Sequence, residues 1–364
     1  MASIKKVPRK RKDGSRGHAW KVRYRDPDRV ERSRTFRTEA DARRFASKIE
    51  VSVNEGTYID PSLGRTLFKD WAEDWLEATE PALKPHTISG YRTLLRKHVV
   101  PALGSMQLAK VRAIDVRRFV AELSNGGLSP SRVRSTYFLV QAIFRAAVES
   151  GYIGRSPCVG VKLPRSVVRE MNFISADQVK AIGSAVPEQY EALIHLLAFG
   201  GLRWGEAAAL RRKHVNVLRR RVEVAESLAD VDGQLHFGPT KTHQTRVVTL
   251  PKKTTEILRL HLERFVEGGR DALVFTSPQG DPLRSPNFRR RVWWPALDEA
   301  GVSREVRIHD LRHTCASLMI MQGAHPKEIQ HQLGHSSISV TLDRYGHLFP
   351  DRQDKVADAL DEII

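Results

Sequence analysis

The residues of this chain with the clearest chemical potential lie along roughly its last 160 positions. In chain order they are Arg203, Lys241, His309, Arg312, His335 and Tyr345. A guanidinium group can bind a phosphate through two parallel hydrogen bonds, a phenol oxygen can act as a nucleophile, and a positioned lysine or histidine can carry a proton. Together these side chains could attack and hold a phosphodiester, which predicts an enzyme that cuts and joins DNA.

Four short segments contain five of these six residues. They are Gly-Gly-Leu-Arg-Trp-Gly-Glu around Arg203, His-Asp-Leu-Arg-His around Arg312, Leu-Gly-His ending at His335, and Thr-Leu-Asp-Arg-Tyr-Gly-His around Tyr345. Their order resembles the catalytic domain of tyrosine recombinases, the phage-integrase family, over roughly residues 170–350. The resemblance implies a site-specific recombinase that integrates or excises a mobile element through a 3′-phosphotyrosine intermediate.

The resemblance also implies a role for each residue. Tyr345 would attack the phosphorus, while Arg203 and Arg312 would bind the charge that develops on the phosphate oxygens. Lys241 would protonate the departing 5′-oxygen, because an alkoxide is a poor leaving group. The covalent link would conserve the energy of the broken phosphodiester, so no nucleotide triphosphate is expected, and neither a cofactor nor a metal is expected.

The histidines and one carboxylate complete the predicted site. His309 and His335 would hydrogen-bond the phosphate and assist proton movement from the tyrosine, and the sequence leaves open which of them is the base. Glu206, in the acidic position where the family has a supporting residue, could orient the guanidinium of Arg203. His313 is a second supporting residue.

Plainer interpretations exist for several of these residues. Arg203 could only complement the negative end of the preceding helix, and Lys241 could be a solvent-facing loop lysine with Arg246 as its nearest competitor. His309 and His313 have zincin-like spacing, but that motif requires Glu where this chain has Asp310. Activity measured after thorough chelation would distinguish a metalloenzyme from a recombinase, whose chemistry should survive. The flanking Arg344 and Gly346 predict that Tyr345 lies outside the core.

Composition and charge indicate a globular, multidomain protein that binds an anionic polymer. The 364 residues carry a formal charge of +18, which favours nucleic acid as a partner because phosphate contacts release counterions. Residues 1–60 hold 17 Lys/Arg against 9 Asp/Glu, residues 61–168 hold 16 against 8, and residues 169–364 hold 27 against 25. The excess charge therefore lies outside the predicted chemical half.

Cysteine content and hydropathy suggest a location. Cys158 and Cys315 are too few for a disulfide framework, and neither a signal peptide nor a long apolar run is found. The expected location is the cytoplasm of a host cell, in association with the nucleoid, with no membrane contact.

The pattern along the chain predicts a multidomain α+β protein. Its predicted parts are an arm-type DNA-binding domain of a small β-sheet plus a helix (residues 1–62), a helical core-DNA-binding bundle (63–157), a linker (158–169), and a mainly α catalytic domain with a small antiparallel sheet and a C-terminal tail helix (170–364). The first and second parts resemble the domains with which integrases grip DNA.

Local signals place elements inside these parts. In the first half they predict a basic arm over Met1–Lys12, strands at Ala19–Arg25 and Ser33–Phe36, a helix capped by Thr38, and a helix with Ser129 as N-cap before Pro130. Basic residues on the helical faces would suit a clamp on duplex DNA, although ordinary solvated faces explain any one of them: Arg92, Arg96, Lys97, Arg117, Arg118, Arg132 and Arg134.

In the second half the signals predict helices around three short strands. The predicted elements are a capping box at Ser175–Gln178, a helix over Glu188–Leu202, strands at Val222–Ala225, Gly233–Phe237 and Arg246–Leu250 with an Asp232-Gly turn between the first two, a helix over His309–Gln322, a helix over Lys327–Leu333 ended by Gly334, and a tail segment with Val356, Ala359, Leu360 and Ile363 at helical spacing.

Two other function classes remain open from the sequence. A type IB topoisomerase would share the phosphotyrosine step but relax supercoils without a partner site, and a noncatalytic regulator would bind DNA without covalent attachment. The expected partners are double-stranded DNA attachment sites, further copies of the chain in a homotetramer on DNA, and accessory DNA-bending and directionality proteins.

Overall fold

The computed structural model describes residues 2–10, 16–27, 29–55, 58–165, 171–240 and 244–349, together with the isolated residues 358, 361 and 363. The chain divides into two compact units, residues 1–168 and 169–364. Each unit has a hydrophobic core of its own. The mixed α+β class predicted from the sequence is confirmed.

The first unit begins with an antiparallel sheet in the order β1-β2-β3. Its strands are β1 (Ser3–Lys10), β2 (Arg16–Arg25) and β3 (Glu31–Phe36). The prediction of a basic arm is therefore wrong for β1, which pairs with β2 along its whole length. Ile4 lies opposite Val22 and packs on a small core that includes Ala42, and this apolar contact explains why a basic segment is held in a sheet.

Helix α1 (Glu39–Asn54) packs on the sheet, and the helical bundle follows it in the chain. As predicted, Thr38 caps α1, where its hydroxyl accepts a hydrogen bond from the Asp41 amide. The bundle helices are α2 (Phe68–Thr79), α3 (Pro85–Leu94), α4 (Val100–Leu103), α5 (Ala113–Asn125) and α6 (Pro130–Glu149). The predicted Ser129 cap of α6 is also confirmed.

Aromatic side chains fill the centre of the bundle. Phe68 packs against Phe144 with ring centroids 5.1 Å apart, and the indole of Trp71 donates to the carbonyl of Ile143 at 3.1 Å. The beginning of the predicted linker also packs here. Cys158 is buried, and its carbonyl accepts from the Tyr137 hydroxyl at 3.2 Å. The described start of that segment is therefore attached to the bundle.

The second unit is mainly helical and contains two small antiparallel sheets. Its strands are β4 (Val215–Asn216), β5 (Arg221–Val224), β6 (Glu226–Val231), β7 (Gln234–Pro239) and β8 (Arg246–Thr249). Its helices are α7 (Ala176–Ala185), α8 (Glu188–His195), α9 (Trp204–Ala208), α10 (Lys252–Phe265), α11 (Ser285–Phe288), α12 (Trp294–Glu299), α13 (Ile308–Met321), α14 (Pro326–Leu333) and α15 (Ile338–Tyr345).

The strands differ from the prediction in number and pairing. The described residues hold five short strands in this unit, and the Asp232-Gly233 turn joins β6 to β7 rather than the first two predicted strands. Both turn residues have positive φ, 51° and 82°, which closes a tight hairpin. Strand β5 pairs instead with β8, where Val222 lies opposite Val248. Both valines are fully buried, so packing decides this pairing.

Helix ends follow local sequence more closely. The capping box of Ser175 and Gln178 is present at α7, and α13 lies within one residue of its predicted bounds. Gly334 ends α14 in the left-handed region at φ 66°. No helix among the described residues is long and apolar enough to cross a membrane.

The predicted tail helix lies almost entirely outside the described residues. Val356, Ala359 and Leu360 are among the positions not described, and Ile363 is exposed.

Candidate active site

A cleft of about 590 Å³ in the second unit gathers most of the predicted chemical residues. It is lined by Arg203, Gln244, His309, Arg312, His335, Ser336, Val340 and Arg344. Four of the six predicted catalytic side chains therefore meet in one place, although they come from distant parts of the chain. Sequence reasoning missed Gln244, Ser336 and Val340 as lining residues, and only their closeness in sequence to predicted residues could have indicated them.

A tight turn between two helical segments positions Arg203. Gly201 ends the preceding helical segment at φ 70°, and Arg203 is the N-cap of α9. Glu206, three residues on, accepts from the Arg203 backbone N–H at 2.8 Å and from its Nη1 at 2.7 Å. Arg203 Nη2 also donates to the carbonyl of Gly334 at 3.2 Å. The contact predicted between Glu206 and this guanidinium is thus present.

Glu206 has a second, more deeply buried partner in Arg246. The Nη1 and Nη2 groups of Arg246 donate to the two Glu206 oxygens at 3.0 and 2.7 Å. Burial alone would raise the pKa of Glu206, but the hydrogen bonds and charge of Arg246, with those of Arg203, lower its pKa to about 2. The sequence suggested Arg246 only as a competitor of Lys241, whereas the structure makes it a partner of the supporting carboxylate.

Replacing this carboxylate by a neutral amide should destabilise the second unit. In Glu206→Gln the two guanidinium groups lose their buried counter-charge, and breaking such a pair costs about 3–5 kcal/mol. We expect that decrease in the free energy of unfolding, measured by urea denaturation. The matched control is Glu256→Gln, because Glu256 forms an exposed ion pair with Arg259 and should cost no more than about 1 kcal/mol. Equal unfolding midpoints for both variants would contradict the expectation.

Arg312 joins three segments of the unit from the middle of α13. Its Nη1 donates to the carbonyl of Gly201 and its Nη2 to the carbonyl of Leu333, both at 2.6 Å. Burial, together with the positive charge of Arg203, lowers the pKa of Arg312 to about 9, so the group stays charged at neutral pH. These contacts use two of its five N–H donors, and the residue also lines the cleft.

The three histidines of the site are neutral at pH 7. Burial and the nearby cations lower the pKa of His335 to about 3. Burial, His313 and Arg312 lower the pKa of His309 to about 4. Burial also lowers the pKa of His313 to about 4. The His335 Nδ1 shares a hydrogen bond of 2.8 Å with the Thr341 hydroxyl.

These histidines should make the second unit sensitive to acid. Each folded-state pKa lies below the ordinary value of 6.5, so the unfolded chain binds more protons between pH 6.5 and about 4. The contribution of the neutral histidines to the free energy of unfolding is complete above pH 6.5 and is lost as the pH falls toward 4 and below. We expect the urea midpoint to fall over that range, and His309→Asn to flatten the decrease. An equally steep decrease in His309→Asn would contradict this expectation.

Tyr345 is fully buried at the end of α15, so the expectation that it lies outside the core is wrong. Its ring packs in a cluster that includes Cys315 and Leu333, and its hydroxyl shares a hydrogen bond of 2.7 Å with His313 Nδ1. Burial raises its pKa, and Arg312 opposes that effect. Arg344 and Gly346 did not predict this, because one helix face can be buried while its neighbours face solvent.

Lys241 lies outside the described residues. It belongs to the segment between β7 and β8, from which Gln244 lines the cleft.

The two histidines of the zincin-like spacing have different surroundings. Their rings are nearly perpendicular, at 88°, with centroids 4.9 Å apart. His309 lines the cleft, whereas His313 contacts Tyr345. Over the described ranges no group of three or more His, Cys, Asp or Glu side chains is arranged to hold a metal ion. The hydrogen bond between His313 and Tyr345 had no signal in the sequence beyond the place of each residue in its own motif.

Comparison with solved structures finds the same fold in two integrases. An integrase of transposon Tn1549, in complex with a circular intermediate DNA, superposes with a TM-score of 0.70 at 18% identity, covering 82% of this chain and 100% of that one. A lambda integrase dimer bound to a COC′ core site gives a TM-score of 0.60 at 19% identity, covering 95% of each chain.

Comparison with known sequences extends over nearly the whole chain. A putative prophage phiRv2 integrase of Mycobacterium tuberculosis is 28% identical, covering 94% of this chain and 92% of the relative. The ICEBs1 integrase of Bacillus subtilis is 27% identical, covering 93% and 95%. The model of the phage integrase family matches residues 172–352, and the model of the phage integrase N-terminal SAM-like domain matches residues 67–124. The chain therefore belongs to the phage integrase family, the tyrosine recombinases.

Proposed function

We propose that this protein is a site-specific DNA recombinase that integrates or excises a mobile element by cutting and rejoining DNA through a 3′-phosphotyrosine intermediate. The observation that carries the proposal is the position of Tyr345. Its ring is packed against His335, with centroids 6.3 Å apart, and His335 shares the lining of the cleft with Arg203 and Arg312. A nucleophile, a cationic cleft and neutral histidines are thus adjacent.

The proposed roles of Arg203, Arg312, His309 and His335 are supported by their charge and position, and the role of Lys241 by the resemblance to the family. Arg203 and Arg312 bind the non-bridging oxygens of the phosphate, His309 and His335 hydrogen-bond them, and Lys241 protonates the 5′-oxygen. Removing one such donor of charge stabilisation typically costs about 10²–10³ in rate. Glu206 orients Arg203 and is not in contact with the phosphate.

The first unit supplies the grip on DNA in this proposal, with residues 1–62 on arm-type sites and 63–157 on the core site. Arg96, Lys97, Arg117 and Arg118 are exposed on the bundle, as phosphate contacts require. Binding should therefore weaken steeply with salt. Working assemblies are proposed to be homotetramers on paired attachment sites in the host nucleoid, aided by DNA-bending and directionality proteins. A lambda integrase tetramer bound to a Holliday junction has the same fold, at a TM-score of 0.57.

Covalent trapping tests the proposal. A nicked suicide substrate loses the fragment that would reverse cleavage, so the 3′-linked protein should accumulate and migrate with labelled DNA on a denaturing gel. Binding without any adduct would indicate the noncatalytic regulator. Supercoiled plasmids distinguish a recombinase from a type IB topoisomerase. A recombinase joins two attachment sites on one plasmid, whereas a type IB topoisomerase relaxes plasmids that lack these sites.

A further inference from the structure

The buried hydroxyl of Tyr345 contacts His313, a histidine that was predicted from the sequence only as a supporting residue. Within the described residues, the hydrogen-bond partner of this hydroxyl is His313 Nδ1, at 2.7 Å. Building on the proposed recombinase function, we infer that His313 is a catalytic residue that accepts the phenol proton when Tyr345 attacks DNA.

The step balances with the groups at hand. The Tyr345 O–H bond breaks as its oxygen forms a bond to phosphorus, and the proton passes to His313 Nδ1. The bond from phosphorus to the 5′-oxygen breaks, and the leaving oxygen takes its proton from Lys241. Rejoining reverses each transfer, so the 5′-hydroxyl attacks and His313 returns the proton to the phenol oxygen.

The other two histidines have different surroundings. His335 uses its Nδ1 for Thr341, and its ring lies nearly parallel to that of Tyr345, at 13°, so it packs on the phenol ring. His309 lines the cleft beside Arg312, where a phosphate would bind. A proton acceptor must lie within hydrogen-bond reach of the proton it takes, and His313 meets that condition already without DNA.

Charges around His313 link its basicity to the substrate. Burial lowers its pKa, the carboxylate of Asp310 opposes this, and Arg344, Arg307 and Arg312 lower it further. Asp310 lies one turn earlier on α13 and is fully buried, with Arg307 as its partner at 2.6 Å. A phosphodiester in the cleft adds negative charge beside Arg312 and Arg344, which line it, and this charge raises the affinity of His313 for a proton. The acceptor is therefore weak until DNA is bound.

The test separates proton acceptance from mere positioning of the tyrosine. In His313→Asn the amide oxygen can still accept the hydroxyl hydrogen bond but cannot take up a proton. Single-turnover cleavage of the nicked substrate should slow by about 10²–10⁴, while binding in a gel-shift assay stays within a few-fold. A second substrate with sulfur at the 5′-bridging position needs no protonation of its leaving group. This substrate should restore the cleavage rate of Lys241→Ala, whereas His313→Asn should still cleave it slowly.

Each outcome decides a different question. Cleavage by His313→Asn close to that of the unsubstituted chain would reduce His313 to a positioning residue, and rescue by the sulfur substrate would move its action to the leaving group. Either result overturns the inference. If His313→Asn fails to unfold cooperatively, His313→Gln supplies the same amide on a longer side chain. Failure of the unsubstituted chain to form any adduct would instead contradict the proposed function.

Discussion

Tyr345→Phe is expected to abolish the covalent protein–DNA species while leaving site binding within a few-fold. Only the phenol oxygen is removed, and the ring that packs with Cys315 and Leu333 is kept. Loss of the hydroxyl leaves His313 Nδ1 without this partner, so the free energy of unfolding should fall by about 1–3 kcal/mol. The measurement is adduct yield from the nicked substrate on a denaturing gel.

The control for this variant makes the same chemical change elsewhere in the unit. Tyr190 is also buried, and its ring packs edge-on against Phe288. Tyr190→Phe should therefore retain the adduct. Adduct at full yield in Tyr345→Phe would assign the nucleophile to another tyrosine.

Arg312→Lys is expected to reduce the single-turnover cleavage rate by about 10²–10³. The ammonium group cannot donate in the fixed fork that reaches the carbonyls of Gly201 and Leu333 and still leaves donors for a phosphate. The charge is retained, so binding of DNA should change much less than cleavage. Quenched-flow or manual time courses with saturating protein measure the rate.

The matched control is Arg259→Lys, at a partly exposed, ion-paired position of α10. It should cleave at the unsubstituted rate. A rate for Arg312→Lys within a few-fold of that value would show that positive charge alone is sufficient at this position. Urea midpoints for both variants distinguish a lost phosphate contact from a lost fold.

Local signals in the sequence predicted the features of the fold that depend only on residues within about one helical turn of each other. The caps at Thr38, Ser129 and Ser175 and the end of α14 at Gly334 all lie where the sequence placed them. Each depends on a side chain and a backbone group within a few residues. The sheets of the second unit were predicted less well, because β5 chooses its partner β8 through buried valines from a distant segment.

In the candidate site, too, the local motifs predicted some features and the packing of distant segments decided the others. Residue types in four short motifs, together with the family resemblance, predicted Arg203, His309, Arg312, His335 and Tyr345 as a set, and the structure brings the first four of these to one cleft. Apart from the contact of Glu206 with Arg203, their type and order did not indicate which buried partner each one meets.

Only the tertiary structure decided three features: the burial of Tyr345, its hydrogen bond to His313, and the place of Arg246 on Glu206. The physical reason is the separation along the chain between the residues that make contact. Capping contacts join residues three positions apart, whereas these contacts depend on how α13, α15, α9 and β8 pack, and a buried polar group takes whichever partner that packing brings to it.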